Sequence, residues 1–174
     1  MYLQKLYDEL CDLSQEDDGL LKRIRLCLGL ISPEPVKGLY FWGGVGRGKT
    51  YLVDCFYECL PFQKKIRIHF HRFMQNVHKE LKSLGNTESP LQMIADRLAI
   101  KTQVLCFDEF HIADITDAML LAGLLEALFE RNVVLVATSN QHPDQLYQGG
   151  LQRERILPAI DLLKKYTDVV NVDS

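Results

Sequence analysis

A three-layer α/β/α sandwich, with helices on both faces of a mainly parallel five-stranded sheet, is the fold this sequence predicts. Three observations carry the prediction. Apolar runs too short for helices, Val104–Phe107 and Val133–Ala137, alternate with segments of helical period. Each run ends in polar residues, Asp108-Glu109 and Thr138-Ser139-Asn140. A glycine-rich loop joins the first apolar run, Gly38–Trp42, to a helical pattern.

The totals agree with one such domain. The chain has 174 residues, 47% apolar and 25% charged, which is ordinary for a globular core. A net charge of −3 argues against an obligate nucleic-acid binder. The cysteines, Cys11, Cys27, Cys55, Cys59 and Cys106, are odd in number and scattered, which suits a reducing compartment. Cys55 and Cys59 lack a second pair at zinc spacing and read as core packing. No run of about 18 apolar residues suggests a membrane span, and the N-terminus lacks the apolar centre of a signal peptide. The expectation is a soluble, intracellular protein.

Taken in order, Leu3, Leu6, Tyr7, Leu10 and Leu13 have helical spacing, and Ser14–Gly19 breaks it. A second helix is expected over Leu20–Leu30, then a stiff connector, Ser32-Pro33-Glu34-Pro35. Residues 34–38 are the expected base contact. After the loop, Leu52, Val53, Phe56, Cys59 and Leu60 share a helix face until Pro61 stops it. Lys64–Phe70 alternates as a strand with one exposed face or at a sheet edge. Phe73, Val77, Leu81 and Leu84 mark a helix that Gly85-Asn86 ends. Ser89-Pro90-Leu91-Gln92 reads as a capping box opening a short helix of Leu91, Ile94, Ala95 and Leu98. Asp114 is a candidate cap for the helix of Ile115, Ala118, Met119, Ala122, Leu125 and Phe129. Pro143 is expected to start a short helix closed by Gly149-Gly150. Ile156, Ile160 and Leu163 mark a last helix with Pro158 near its start, and Val169–Val172 a last strand.

The chemistry begins with Gly43-Gly44-Val45-Gly46-Arg47-Gly48-Lys49-Thr50, which reads G-x-x-x-x-G-K-T, the phosphate-binding loop of P-loop nucleotide triphosphatases. Its glycines let backbone N–H groups turn inward at a phosphate, and the following helix adds its positive end. Lys49 supplies charge for the β- and γ-phosphates, and the Thr50 hydroxyl is a ligand for Mg²⁺. The nucleotide-binding set is Gly43 to Thr50 with the adjoining Tyr51. Asp108 is assigned to the metal through water and Glu109 to polarising the attacking water; strand alternation would send the two to different sides. Asn140 can hold that water or touch the γ-phosphate. Arg153 and Arg155, the latter favoured, can stabilise charge on the phosphoryl group transferred in a neighbouring subunit. His69, His71 and Arg72 read as polar residues at a strand end or as a relay toward a partner surface.

These blocks, together with His69–Met74 and Gly150–Arg155, resemble the ZapE-type ATPases, bacterial cell-division proteins related to the mitochondrial ATPase-family-gene-one (lactation-elevated) proteins. The resemblance covers roughly residues 36–173. It implies an AAA+ core using ATP and Mg²⁺, with Gly43–Thr50 as Walker A, Asp108 and Glu109 as Walker B, Asn140 as first sensor, and an arginine finger at Arg153 or Arg155. It also implies a protein partner, the tubulin-like division-ring protein among the candidates, nucleotide-dependent self-assembly, and a bacterial cytoplasmic or mitochondrial matrix location. A nucleotide-gated adaptor, a quality-control factor and a nucleic-acid-associated loader are the competing functions. The AAA+ pattern continues into a helical lid, whereas this sequence stops at its last strand. The expected division is residues 1–35 as N-terminal extension and linker and residues 36–174 as the core without its lid.

Overall fold

A computed structural model describes residues 1–15 and 35–173. The expected helix over Leu20–Leu30, the connector up to Glu34, the side chain of Leu13, Cys27 and Ser174 lie outside the described residues. The helices are α1 (Tyr2–Gln15), α2 (Lys49–Cys59), α3 (Phe70–Leu84), α4 (Pro90–Lys101), α5 (Ile115–Glu130) and α6 (Leu157–Tyr166). The strands are β1 (Gly38–Trp42), β2 (Lys65–His69), β3 (Val104–Asp108), β4 (Val134–Ser139) and β5 (Thr167–Asn171). They form one sheet in the order β2-β3-β4-β1-β5. Every pairing is parallel, with Leu39 opposite Val136 and Leu105 opposite Leu135.

Strand alternation sorts the side chains into two cores. Leu39, Phe41, Val104, Cys106, Val134 and Val136 face α1 and α2, meeting Leu6, Leu10, Val53, Phe56 and Leu60. Tyr40, Leu105, Phe107, Leu135 and Ala137 face the other way, onto α3 to α6. Strands buried on both faces explain why β3 and β4 read as unbroken apolar runs. β2 is an edge strand, which accounts for its polar alternation. Gly38 sits so close to β4 that a Cβ there would come within 1.8 Å of the Leu135 carbonyl oxygen.

Several local expectations are corrected. Cys55 and Cys59 are exposed, not core. The buried stripe of α2 is Val53, Phe56 and Leu60, and positions two and six after Val53 rotate off it. Ser89 makes no side-chain cap, because its φ of 53° and ψ of 55° place it in the left-handed region instead of the extended one a capping serine needs. Met119 is 52% exposed. α5 buries Leu121, Leu124, Leu125 and Leu128 instead, wedged between α4 and α6. The segment after Pro143 is one 3₁₀ turn, Pro143–Gln145, capped by His142. Asp114 does cap α5, accepting the Asp117 N–H at 2.9 Å.

Candidate functional site

The loop Gly43–Gly48 leaves the carboxyl end of β1 and delivers the chain into α2 at Lys49. Gly46 and Gly48 have φ of 79° and 81°, and a Cβ at either would meet nothing within 4 Å. Glycine is therefore needed there for backbone conformation, not for space. The result is a concave turn of backbone ending at a helix N-terminus, which favours an anion. The Lys49 ammonium is folded back over it, donating to the carbonyls of Gly43 at 2.7 Å and Gly44 at 2.6 Å. Lys49 is 8% exposed, so a full charge is held nearly dry at the mouth of the loop.

The topology carries the rest of the site to this place. β4 lies between β1 and β3, so the ends of three strands open on one side. A cleft of about 490 Å³ is lined by Val45 to Tyr51, Glu109, Thr138, Ser139 and Asn140. Glu109 and Asn140, far apart in sequence, thus line the same cleft as the glycine-rich loop. Such crevices beyond strand carboxyl ends are where ligands bind in parallel sheets.

Glu109 reaches the cleft by a route that strand alternation does not describe. β3 ends at Asp108, and Glu109 has φ of 54°, so its side chain is set by a left-handed turn. The turn is fastened to β4: the Glu109 N–H donates to Thr138 Oγ1 at 3.1 Å, and the Phe110 N–H to the Thr138 carbonyl at 2.7 Å. Ser139 Oγ returns a bond to the Phe110 carbonyl at 2.8 Å. Phe110 is buried against Phe70 and Tyr40, with ring centroids at 4.3 and 5.9 Å. The carboxylate itself is 82% exposed, with His69 Nδ1 at 3.9 Å. A tethered backbone therefore carries an exposed carboxylate.

Asp108 is placed differently. It is buried, and Arg67 of β2 grips both its oxygens, Nε donating to Oδ2 at 2.7 Å and Nη2 to Oδ1 at 3.0 Å. Arg67 also donates to Asp54 of α2. These partners, Asp108 first, push the guanidinium above its already high ordinary pKa. Asp173, just past β5, is another unexpected participant: its carboxylate accepts the Gly44 N–H at 2.9 Å and meets Arg47 Nε at 3.1 Å. Gly43 lies beneath it, where a Cβ would come within 2.9 Å of the carboxylate carbon.

The arginines after the Gly-Gly turn form a 3₁₀ turn, Arg153–Arg155. Arg153 donates to the Asp144 carbonyl at 2.6 Å, while its Nε is buried with no partner among the described residues. Arg155 is exposed. Neither lines the cleft with the phosphate loop. The sequence reading missed Arg67, Thr138, Ser139 and Asp173. Hints existed for Arg67, an arginine inside an alternating apolar strand, and for Thr138 and Ser139, polar residues ending a buried run.

The sequence profile of the AFG1-like ATPases matches residues 2–174. The chain belongs to the AFG1-like ATPase family. It is 53% identical to the cell division protein ZapE of Escherichia coli (strain K12), over 99% of this chain and 48% of that protein. It is 41% identical to lactation elevated protein 1 homolog B of Danio rerio, over 82% of this chain and 30% of that one. The chain thus spans about half the length, or less, of these AFG1-like relatives. Among solved structures, DnaI matches with a TM-score of 0.58 and 22% identity, over 90% of this chain and 86% of that one. AMPPCP-bound DnaA from Aquifex aeolicus matches at 0.56 and 16%, over 78% and 40%. These two likenesses show a shared P-loop NTPase fold.

Proposed function

We propose that this member of the AFG1-like family binds ATP on the Gly43–Thr50 loop, with Tyr51 beside it, and hydrolyses it. The observation that carries the reading is the convergence of a buried Lys49 ammonium, Glu109 and Asn140 on one cleft at the loop. In this reading the loop's backbone N–H groups and Lys49 hold the β- and γ-phosphates. Glu109 orients a water and takes its proton as the water oxygen bonds to the γ-phosphorus and the bond to the bridging oxygen of ADP breaks. Asn140 is the hydrogen-bonding partner of that water or of the γ-phosphate.

The residues fit Mg²⁺: the Thr50 hydroxyl and the Asp108 carboxylate are hard oxygen donors, and the Arg67 fork leaves a further lone pair on each Asp108 oxygen. When bound, the ion neutralises charge on the phosphoryl oxygens. Residues 36–174 form the ATPase core in this reading, preceded by residues 1–35. Arg155 is exposed and acts, in this reading, on a neighbouring subunit's nucleotide, with Arg153 holding the turn that presents it. The wider role is regulation or remodelling of a protein partner in bacterial division in the cytoplasm, the tubulin-like ring protein being the partner to try. It is supported by the 53% identity to a protein named for cell division. Among the described residues, no helix is long and apolar enough to cross a membrane.

Nucleotide titration tests the site. Lys49→Ala removes the buried charge and is expected to abolish ATP binding with the fold retained. Unchanged affinity would sink the assignment. Adding the ring protein or DNA to turnover assays separates the partner classes.

A further inference from the structure

Arg67 holds two carboxylates at once and has no role assigned so far. The register sets Arg67 opposite Cys106 and His69 opposite Asp108, so its side chain reaches forward along the sheet to the end of β3. There it binds Asp108 through two parallel bonds of 2.7 and 3.0 Å and Asp54 through its remaining nitrogen. The guanidinium is 18% exposed and the Asp108 carboxylate 11%. Asp54 stands one helical turn beyond Thr50 on α2, 51% exposed. One cation therefore joins three elements and sits between two carboxylates, one of them a helical turn along α2 from Thr50.

Without that cation the place would have another chemistry. Two carboxylates near a hydroxyl are a hard-oxygen set for a divalent ion, and their mutual repulsion would raise the affinity of any ion that relieved it. With the arginine present the group carries one net negative charge instead of two. Both Asp108 oxygens are already engaged, and an approaching ion meets the positive charge that grips them. The fork takes one lone pair from each oxygen and leaves the others for a water held on an ion. Lysine could supply the charge without the planar two-point grip.

We propose that Arg67 is a positioning residue that makes the divalent cation arrive with the nucleotide: it screens Asp108 and Asp54 so that the ion binds only when phosphate oxygens complete its shell. The inference rests on the reading of Asp108 as the carboxylate facing the metal.

The test is nucleotide-free Mn²⁺ binding, followed through the electron paramagnetic resonance signal of the free ion. Wild type, Arg67→Gln, Arg67→Lys and the double variant Arg67→Gln/Asp54→Asn are compared, each checked for folding by circular dichroism. Arg67→Gln is expected to bind Mn²⁺ at least tenfold more tightly than wild type. The double variant should fall back toward wild type, because one of the unmasked carboxylates has gone. Arg67→Lys should lie between, since it keeps the charge and loses the fork. It also carries the test by itself if the glutamine variant does not fold. A purely structural ion pair predicts lower stability in Arg67→Gln with no gain in Mn²⁺ affinity, and that result, or no gain in a folded Arg67→Lys, overturns the proposal. ATP titration of wild type against Lys49→Ala is run alongside. Loss of the expected difference there would fail the nucleotide site itself, a result separate from an unmoved Mn²⁺ affinity in a chain that binds ATP normally.

Discussion

Glu109 shows what a single residue in a left-handed turn contributes. Its N–H donates to Thr138 Oγ1, so Thr138→Val, which keeps shape and removes the acceptor, leaves that donor unpaired. The expected cost is about 1–2 kcal/mol of stability, with turnover lowered and ATP affinity kept. Denaturation midpoints measured beside kcat and Kd check both halves, and unchanged turnover would mean the turn holds without Thr138. The acidic pair itself was legible in the sequence, because a carboxylate closing a buried strand is conspicuous. Its direction was not: alternation holds only inside a strand, and the strand ends one residue earlier. The cysteines give a second residue-scale test. Burial pushes the Cys106 thiol up to about 12, whereas Cys55 and Cys59 are exposed. Cys106 stays protonated and shielded across neutral pH, so alkylation followed by mass spectrometry should label Cys55 and Cys59 in the native protein and Cys106 only after unfolding. Rapid native labelling of Cys106 would contradict the core described.

At the scale of elements, helix starts separate what sequence patterns can specify from what they cannot. Asp114 and Ser89 look alike as caps, yet only Asp114 has the extended backbone, φ −138° and ψ 167°, that aims its oxygen at the first turn. Asp114→Ala should therefore cost about 1 kcal/mol of stability, while Ser89→Ala should cost nearly nothing. Equal losses in thermal or chemical denaturation would put the serine hydroxyl back on its helix. Strand–helix alternation fixed the fold class because β3 and β4 bury both faces and admit almost no polar residues. The order β2-β3-β4-β1-β5 could not be read the same way, since pairing partners leave no mark in local periodicity. Arg67 and Asp173 escaped for that reason: each meets its partner across the sheet or from the far end of the chain. α2 was half legible, its apolar spacing marking the helix but assigning Cys59 to a face that turns to solvent.

For the whole molecule, the placement of β4 between β1 and β3 is what makes a site from separate motifs. It brings the phosphate loop, Glu109 and Asn140 to one cleft and leaves Arg155 outside it, exposed. If Arg155 serves a neighbour's nucleotide, activity per chain should rise with protein concentration, and mixing Arg155→Ala with Glu109→Gln should restore part of the activity that each lacks. No recovery at any ratio, with concentration-independent wild-type turnover, would leave Arg155 a surface charge. The account as a whole rests on one cleft that both binds ATP and activates water. The most direct test measures ATP affinity and turnover on a single preparation of Glu109→Gln, whose amide keeps the size of the side chain but cannot take a proton. The account predicts ATP affinity close to wild type and turnover at least about tenfold lower, equivalent to about 1.4 kcal/mol of lost transition-state stabilisation. Normal turnover in a variant that still binds ATP would contradict it.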